Sequence, residues 1–118
     1  MGIRLLKDAK GHEIDLGAIQ ALLDRIIRLW HPVGIWLFGS RARGSAGAES
    51  DWDLLVIVPD EMKDVDDPLV GWRLKRDLEV RSDLLLCRAS EFEDDRDTPN
   101  TMAFEAAHGG ILIPQLLT

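Results

Sequence analysis

Residues 38–58 decide the fold, and they read FGSRARGSAGAESDWDLLVIV. Just before and into this stretch, Val33 to Phe38 is a short apolar run that ends at a glycine, which predicts a β-strand. Gly39 to Glu49 is rich in glycine, serine, alanine and arginine, which predicts a loop, and Ser40 is placed to cap a helical turn. Asp51 to Val58 predicts a second strand. Its apolar residues occupy both parities, so both faces of this strand should be covered.

The sequence on either side predicts helices and further strands. Apolar residues recur at helical spacing from Leu16 to Trp30, with Asp15 as the N-cap and Pro32 as the stop. The other predicted elements, in chain order, are a short strand over Met1–Leu6 with a turn at Lys10-Gly11, a helix over Asp66–Leu78, a strand over Val80–Cys87, a helix from Thr98 to Gly109, and a short strand or tail at Ile111–Ile113. Together they predict one domain over residues 1–118, of the α/β or α+β class, with a small mixed β-sheet and helices packed on it.

Two aspartates stand at the start of the second strand. Asp51 and Asp53 are two residues apart, so their side chains point to the same side of a strand. Neighbouring carboxylates repel each other unless a cation lies between them, and hard divalent cations such as Mg²⁺ prefer oxygen ligands. Asp83 is the candidate third acid, because a lone carboxylate in an otherwise apolar strand is costly to bury without a partner. Taken alone, the pair at 51 and 53 is more often a solvated strand end.

The loop before these aspartates has features of a phosphate-binding loop. Gly39 and Ser40 follow a strand and open a helical turn, where free backbone N–H groups and the Ser40 hydroxyl can hold phosphate oxygens. Arg41 and Arg43 either supplement that site or are solvated loop residues, and Ser50 either orients the carboxylate loop or only turns it. Neither a Walker A motif nor the Gly-x-Gly-x-x-Gly dinucleotide motif is present.

This arrangement resembles a known superfamily. Gly39-Ser40, ten further residues, and then Asp51-x-Asp53, with an isolated Asp83 on a later strand, is similar to the DNA polymerase β-type nucleotidyltransferases. Within that superfamily the short chain resembles the minimal nucleotidyltransferases, which are antitoxins paired with HEPN toxins. The resemblance implies a polymerase β-like nucleotidyltransferase fold.

The resemblance also implies roles for these residues. Gly39 and Ser40 would grip a nucleoside triphosphate, while Asp51 and Asp53 would ligate the divalent metals. Asp83 would hold the catalytic metal and help to deprotonate the acceptor hydroxyl. Arg41, Arg43 and Ser50 are further candidates for nucleotide binding. One departure from the family pattern is Ser82, which stands where a hydrophobic residue usually precedes the third acid.

The implied activity is nucleotidyl transfer. Relatives of this size transfer AMP from ATP to a tyrosine of the partner HEPN toxin, which silences its RNase activity. The acceptor oxygen attacks the α-phosphate in line and pyrophosphate leaves, with two Mg²⁺ ions stabilising the attacking and leaving oxygens. Mn²⁺ can replace Mg²⁺ at an all-oxygen site.

Composition narrows the range of possible binding partners. The 118 residues are 46% hydrophobic and 30% charged, with a net charge of −7, which makes nucleic acid an unfavoured partner because duplex affinity rests on neutralising phosphates. The acidic excess lies in residues 60–67 and 91–97, which indicates solvated loops or helix starts, or a surface that steers a basic partner. The single cysteine, Cys87, lies in an apolar run and is predicted to be a buried, inert thiol.

The described features of the sequence include no targeting signal, which favours a cytoplasmic location. No apolar run approaches the roughly 20 residues that a membrane helix needs, and the N-terminal residues lack the apolar core and cleavage site of a signal peptide. We therefore expect a cytoplasmic protein with no membrane partner.

Two other functions remain open on the sequence. One is a binding module that neutralises the toxin by covering it, although the complete set of three aspartates disfavours a dead site. The other is transfer to a small molecule or an RNA end. Relatives with that activity usually carry an extra domain, for which we expect no room here unless a partner subunit supplies it. Homo-oligomers and hetero-oligomers both remain open.

Overall fold

A four-stranded mixed sheet forms the centre of the protein. The computed structural model describes residues 6–114. Its strands are β1 (Leu6–Lys7), β2 (Glu13–Ile14), β3 (Gly34–Phe38), β4 (Trp52–Val58), β5 (Ser82–Arg88) and β6 (Ile111–Leu112). Its helices are α1 (Gln20–Trp30), α2 (Ser40–Arg43), α3 (Val70–Lys75), α4 (Ala89–Asp95) and α5 (Met102–Gly109), with a 3₁₀ turn at Leu16–Ile19 before α1.

The strand directions set the position of the functional residues. The main sheet has the order β5-β4-β3-β6, while β1 and β2 form a separate antiparallel pair. β4 runs antiparallel to β3 and parallel to β5. The C-terminal end of β3 and the N-terminal ends of β4 and β5 therefore lie at the same end of the sheet. The predicted mixed sheet with helices packed on it is confirmed.

The core lies on both faces of this sheet. One cluster packs the α1 side, where Ile26 and Leu54 are fully buried. The other packs the α4 and α5 side and includes Leu55 and Phe92. β4 is buried from Leu54 to Val58, so the prediction that both of its faces are covered is confirmed. A strand buried in this way holds the residues at its N-terminal end firmly in place.

The helix predicted from Leu16 to Trp30 is present, with a tighter first turn. Asp15 Oδ1 accepts a hydrogen bond from the Gly17 amide at 2.8 Å and caps the 3₁₀ turn. The helix ends at His31, whose left-handed backbone (φ 47°) directs its amide to the Ile27 carbonyl. The chain therefore leaves the helix one residue before Pro32.

Two predicted helices are shorter than expected because side chains cap later turns. The helix predicted over Asp66–Leu78 covers only Val70–Lys75, since Asp67 Oδ1 accepts from the Leu69 amide at 2.9 Å and stabilises a turn before it. The helix predicted from Thr98 begins at Met102, because Thr101 Oγ1 accepts from the Phe104 amide at 3.1 Å.

Other boundaries also differ. The strand predicted over Val80–Cys87 runs over Ser82–Arg88, and the tail predicted at Ile111–Ile113 forms β6 beside β3. β2 and α4 were not predicted. The strand predicted over Met1–Leu6 lies outside the described residues apart from Leu6, which belongs to β1. Within residues 6–114, no helix is long and apolar enough to cross a membrane.

Candidate active site

Parallel pairing of β4 and β5 places two carboxylates side by side. Asp53 and Asp83 are register partners on adjacent strands, and the charge of Asp83 acts on the Asp53 carboxyl. Because side chains alternate along a strand, both point to the face that α4 and α5 cover further along. The strand predicted from Asp51 begins at Trp52, so Asp51 lies just before it. The sequence left open whether the strand of Asp83 neighbours that of Asp53, and the structure shows that it does.

The electrostatics of this pair favour a bound cation. Burial, together with the nearby carboxylates of Asp83 and Asp51, raises the pKa of Asp53 above its usual range, while the positive charge of Arg43 opposes that rise. A carboxylate that is hard to ionise beside two others gains when a positive ion enters the cluster. The oxygen donors fit a hard divalent ion such as Mg²⁺.

Asp51 has a different partner in this structure. Its Oδ1 lies 3.4 Å from Arg81 Nε, and Arg81 Nη1 lies 3.3 Å from Glu49 Oε1. Among residues 6–114, no three histidine, cysteine, aspartate or glutamate side chains converge as ligands of one ion. The structure therefore brings Asp53 and Asp83 together and leaves the third predicted ligand, Asp51, paired with an arginine.

Arg81 was missed by the sequence reasoning. The sequence did contain a signal. Arg81 stands two residues before Asp83, and in an extended chain side chains two residues apart lie on the same face. Its carbonyl accepts a hydrogen bond from the Trp52 amide at 2.9 Å, which extends the pairing of the two strands by one residue.

Gly39 fits this site because of its conformation and its neighbour. Its backbone has φ 77° and ψ −156°, a region that is open essentially to glycine alone. A Cβ added there would collide with Oδ2 of Asp53. The sequence suggested that this glycine allows close approach of a phosphate. The structure adds that it also leaves room for the Asp53 carboxylate.

The loop after Gly39 forms a short helical turn. The Gly39 carbonyl accepts from the amides of Ala42 and Arg43, each at 3.1 Å, and the Ser40 carbonyl accepts from the Gly44 amide at 3.0 Å. Ser40 is the first residue of α2, and the amides of Ser40 and Arg41 come too early in the helix to have an intrahelical partner. The loop thus presents donor groups next to the carboxylates.

Arg41 binds the loop that leads to the aspartates. Its Nε and Nη2 donate to the Ser50 carbonyl at 3.1 and 2.7 Å, and its guanidinium lies 4.1 Å from the centre of the Trp52 ring. Ser50 Oγ accepts from the Gly47 amide at 2.9 Å. Arg41 and Ser50 therefore position the loop, whereas Arg43 is exposed and near Asp53.

Residues beside Asp83 and in the rest of β5 have structural roles. The hydroxyl of Ser82 is buried with no hydrogen-bond partner among the described residues, and the Ser82 carbonyl accepts from Lys75 Nζ. Ser82 thus occupies an apolar position on the opposite face from Asp83. Burial, with the charges of Glu91 and Asp95, raises the pKa of Cys87 to about 11. Cys87 is half-buried rather than buried as predicted, and the raised pKa disfavours its thiolate.

Comparison with known proteins agrees with this geometry. A family model described as "Nucleotidyltransferase domain" matches residues 19–103, a span that contains the loop and all three aspartates. No curated protein and no solved structure matches the chain.

Proposed function

The chain belongs to the nucleotidyltransferase domain family, whose model covers most of its length, and on that premise we propose that it transfers AMP from ATP to a tyrosine hydroxyl of a HEPN-type toxin. In this proposal it acts as the antitoxin of that toxin and uses two divalent ions, Mg²⁺ or Mn²⁺. The observation that carries nucleotidyl transfer is the pairing of Asp53 with Asp83 directly against Gly39.

The chain's own groups account for nucleotide binding. Backbone amides at Ser40 and its neighbour face the triphosphate, and Gly39 lets the phosphate oxygens approach the backbone. The exposed guanidinium of Arg43 is free to add charge-assisted hydrogen bonds to phosphate. Arg41 acts indirectly by fixing the Ser50 carbonyl and hence the segment that leads into Asp51.

The reaction forms one bond and breaks one. The acceptor oxygen bonds to the α-phosphorus, the bond from that phosphorus to the bridging oxygen breaks, and pyrophosphate leaves. Asp83 accepts the proton of the acceptor hydroxyl. Divalent ions held by Asp51, Asp53 and Asp83 would stabilise charge on the attacking and leaving oxygens.

A protein acceptor suits the charge of the molecule. β4 and β5 are parallel, so residues 60–67 and 91–97 follow them at the same end of the sheet, away from the carboxylates. Asp60 in the first segment accepts a hydrogen bond from the amide of Ser90, just before the second, at 2.9 Å. The net charge of −7 makes an RNA end a poor acceptor, and the acidic end, remote from the carboxylates, remains available to a basic protein surface. The toxin as acceptor rests on the resemblance to minimal nucleotidyltransferases.

The test is a labelling experiment with two positions of the label. The chain, a HEPN-type toxin and Mg²⁺ are incubated with ATP labelled at the α-phosphate or at the γ-phosphate. We expect only the α-label on the toxin, with loss of the RNase activity of the toxin. Asp53→Asn should abolish the label, whereas Asp95→Asn, the same charge change at the far end of β5, should not.

The alternatives give different results. Inhibition of the RNase without label, retained by Asp53→Asn, would identify a binding module. Label on a small molecule or an RNA end and not on the toxin would leave nucleotidyl transfer standing and reject the proposed acceptor.

A further inference from the structure

Arg81 forms an ion pair with Asp51, the predicted metal ligand that does not belong to the Asp53–Asp83 pair. Its Nε lies 3.4 Å from Asp51 Oδ1, and its Nη1 lies 3.3 Å from Glu49 Oε1. Its backbone is fixed, because its carbonyl accepts from the Trp52 amide at 2.9 Å. Its side chain remains 68% exposed. The guanidinium can therefore leave Asp51 without disturbing the core.

A guanidinium and a divalent ion compete for the same carboxylate. While Arg81 lies against Oδ1, an ion that approaches Asp51 meets a like charge at close range. In water, two unit charges about 4 Å apart change an equilibrium by roughly fivefold, and salt and solvent exposure reduce that effect. For a doubly charged ion at this exposed position we expect a net effect of about three- to tenfold.

We propose that Arg81 is a positioning residue that competes with the divalent ion for Asp51. In the metal-free protein it pairs with Asp51 and offsets part of the negative charge that Asp51 presents to Asp53. Asp51 completes the ligand set when Arg81 turns away into solvent. This inference rests on the proposed metal-dependent transfer and adds a residue that sets how tightly the metal binds.

The test measures Mn²⁺ binding to the purified chain without nucleotide or partner, from the electron paramagnetic resonance signal of free Mn²⁺ at low salt. Arg81→Gln should bind Mn²⁺ about three- to tenfold more tightly than the wild type. Arg81→Lys keeps the charge and should stay near the wild-type value. Arg81→Met removes the charge with a different side chain and replaces Arg81→Gln in the test if that variant does not fold.

A double-mutant cycle separates competition from a general charge effect. If Arg81 acts through Asp51, its removal in the Asp51→Asn background should change the Mn²⁺ affinity by less than twofold. The matched control is Arg96→Gln, at the residue that directly follows α4 and lies beyond the far end of β5. It makes the same charge change and also loses a 3.4 Å ion pair to a glutamate. It should change the affinity by less than twofold.

Three results would overturn the proposal: equal affinities of Arg81→Gln and Arg96→Gln, weaker binding by Arg81→Gln, or an undiminished gain in the Asp51→Asn background. Asp53→Asn identifies which idea has failed. If Asp53→Asn abolishes Mn²⁺ binding and Arg81→Gln leaves it unchanged, only the role of Arg81 is rejected. If Asp53→Asn and Asp51→Asn both leave Mn²⁺ binding intact, the metal-dependent function is rejected together with it.

Discussion

Replacing Gly39 by alanine is the sharpest perturbation of the carboxylate site. The change adds a single methyl group. That methyl group meets two obstacles in the structure, a backbone conformation that disfavours any side chain and the Oδ2 atom of Asp53. We therefore expect Gly39→Ala to lose both stability and activity, and to lose activity by the larger factor.

The magnitudes follow from those two obstacles. A residue other than glycine at φ 77° and ψ −156° costs about 1–3 kcal/mol, so the free energy of unfolding should fall by that amount. The collision forces the Asp53 carboxylate to move, and a misplacement of about 1 Å in a reacting site can cost 100-fold in rate. We expect the rate of AMP transfer to fall by about two orders of magnitude.

Urea denaturation measures the first effect, and Mn²⁺ binding with α-labelled ATP transfer measures the second. Gly47→Ala is the matched control, because Gly47 lies in the same loop, has no positive φ and would bring its Cβ within 4 Å of nothing. It should keep the stability and activity of the wild type. A folded Gly39→Ala variant with wild-type stability and Mn²⁺ affinity would refute the assignment of Gly39 as a spacer for Asp53.

Three further predictions concern single residues. Asp53→Asn should raise the Tm of the metal-free protein at pH 7, because folding raises the pKa of Asp53 and its ionisation then opposes folding. The gain in Tm should vanish as the pH falls toward 3.8, the ordinary pKa of an aspartate. A lower Tm at pH 7 would contradict this prediction. Cys87 is half-buried and has a pKa raised to about 11, so at pH 8 it should react with a thiol reagent much more slowly in the native chain than in urea. Equal rates would contradict the raised pKa. Arg41→Gln removes the hydrogen bonds to the Ser50 carbonyl and should speed tryptic cleavage after Arg43 several-fold, as followed by mass spectrometry; an unchanged rate would mean that Arg41 does not hold the loop.

Much of the site follows from the sequence because its residues lie in short, regular patterns. Asp51 and Asp53 are set by the period of a strand, and Gly39 directly follows the strand beside it. Asp83 was singled out as a lone carboxylate in an apolar strand, but it is exposed in the structure, so the cost of burial does not explain its position. What periodicity does not give is strand order, which decides whether Asp83 meets Asp53, and that pairing came from the structure.

Elements that depend on tertiary contacts were not predictable from these patterns. α4 carries acidic residues that read as a solvated run, yet its first turn is closed by Arg88 and Glu91, with the Glu91 side chain accepting from the Arg88 amide at 3.2 Å. Both β1 and β2 have only two residues, which is too few for alternation to show. The pairing of Arg81 with Asp51 depends on side-chain rotamers at an exposed strand end.

The parallel pairing of β4 with β5 also sets the order in which the site is completed during synthesis. The loop after Gly39 lies between β3 and β4, and Asp53 lies in β4. These two strands pair within a short stretch of chain. Asp83 arrives only after residues 59–81 have been made and have crossed the sheet, and closing such a connection costs chain entropy. A nascent chain that ends before Ser82 therefore has the loop and an unopposed Asp53, and the pair of carboxylates is formed only when β5 docks.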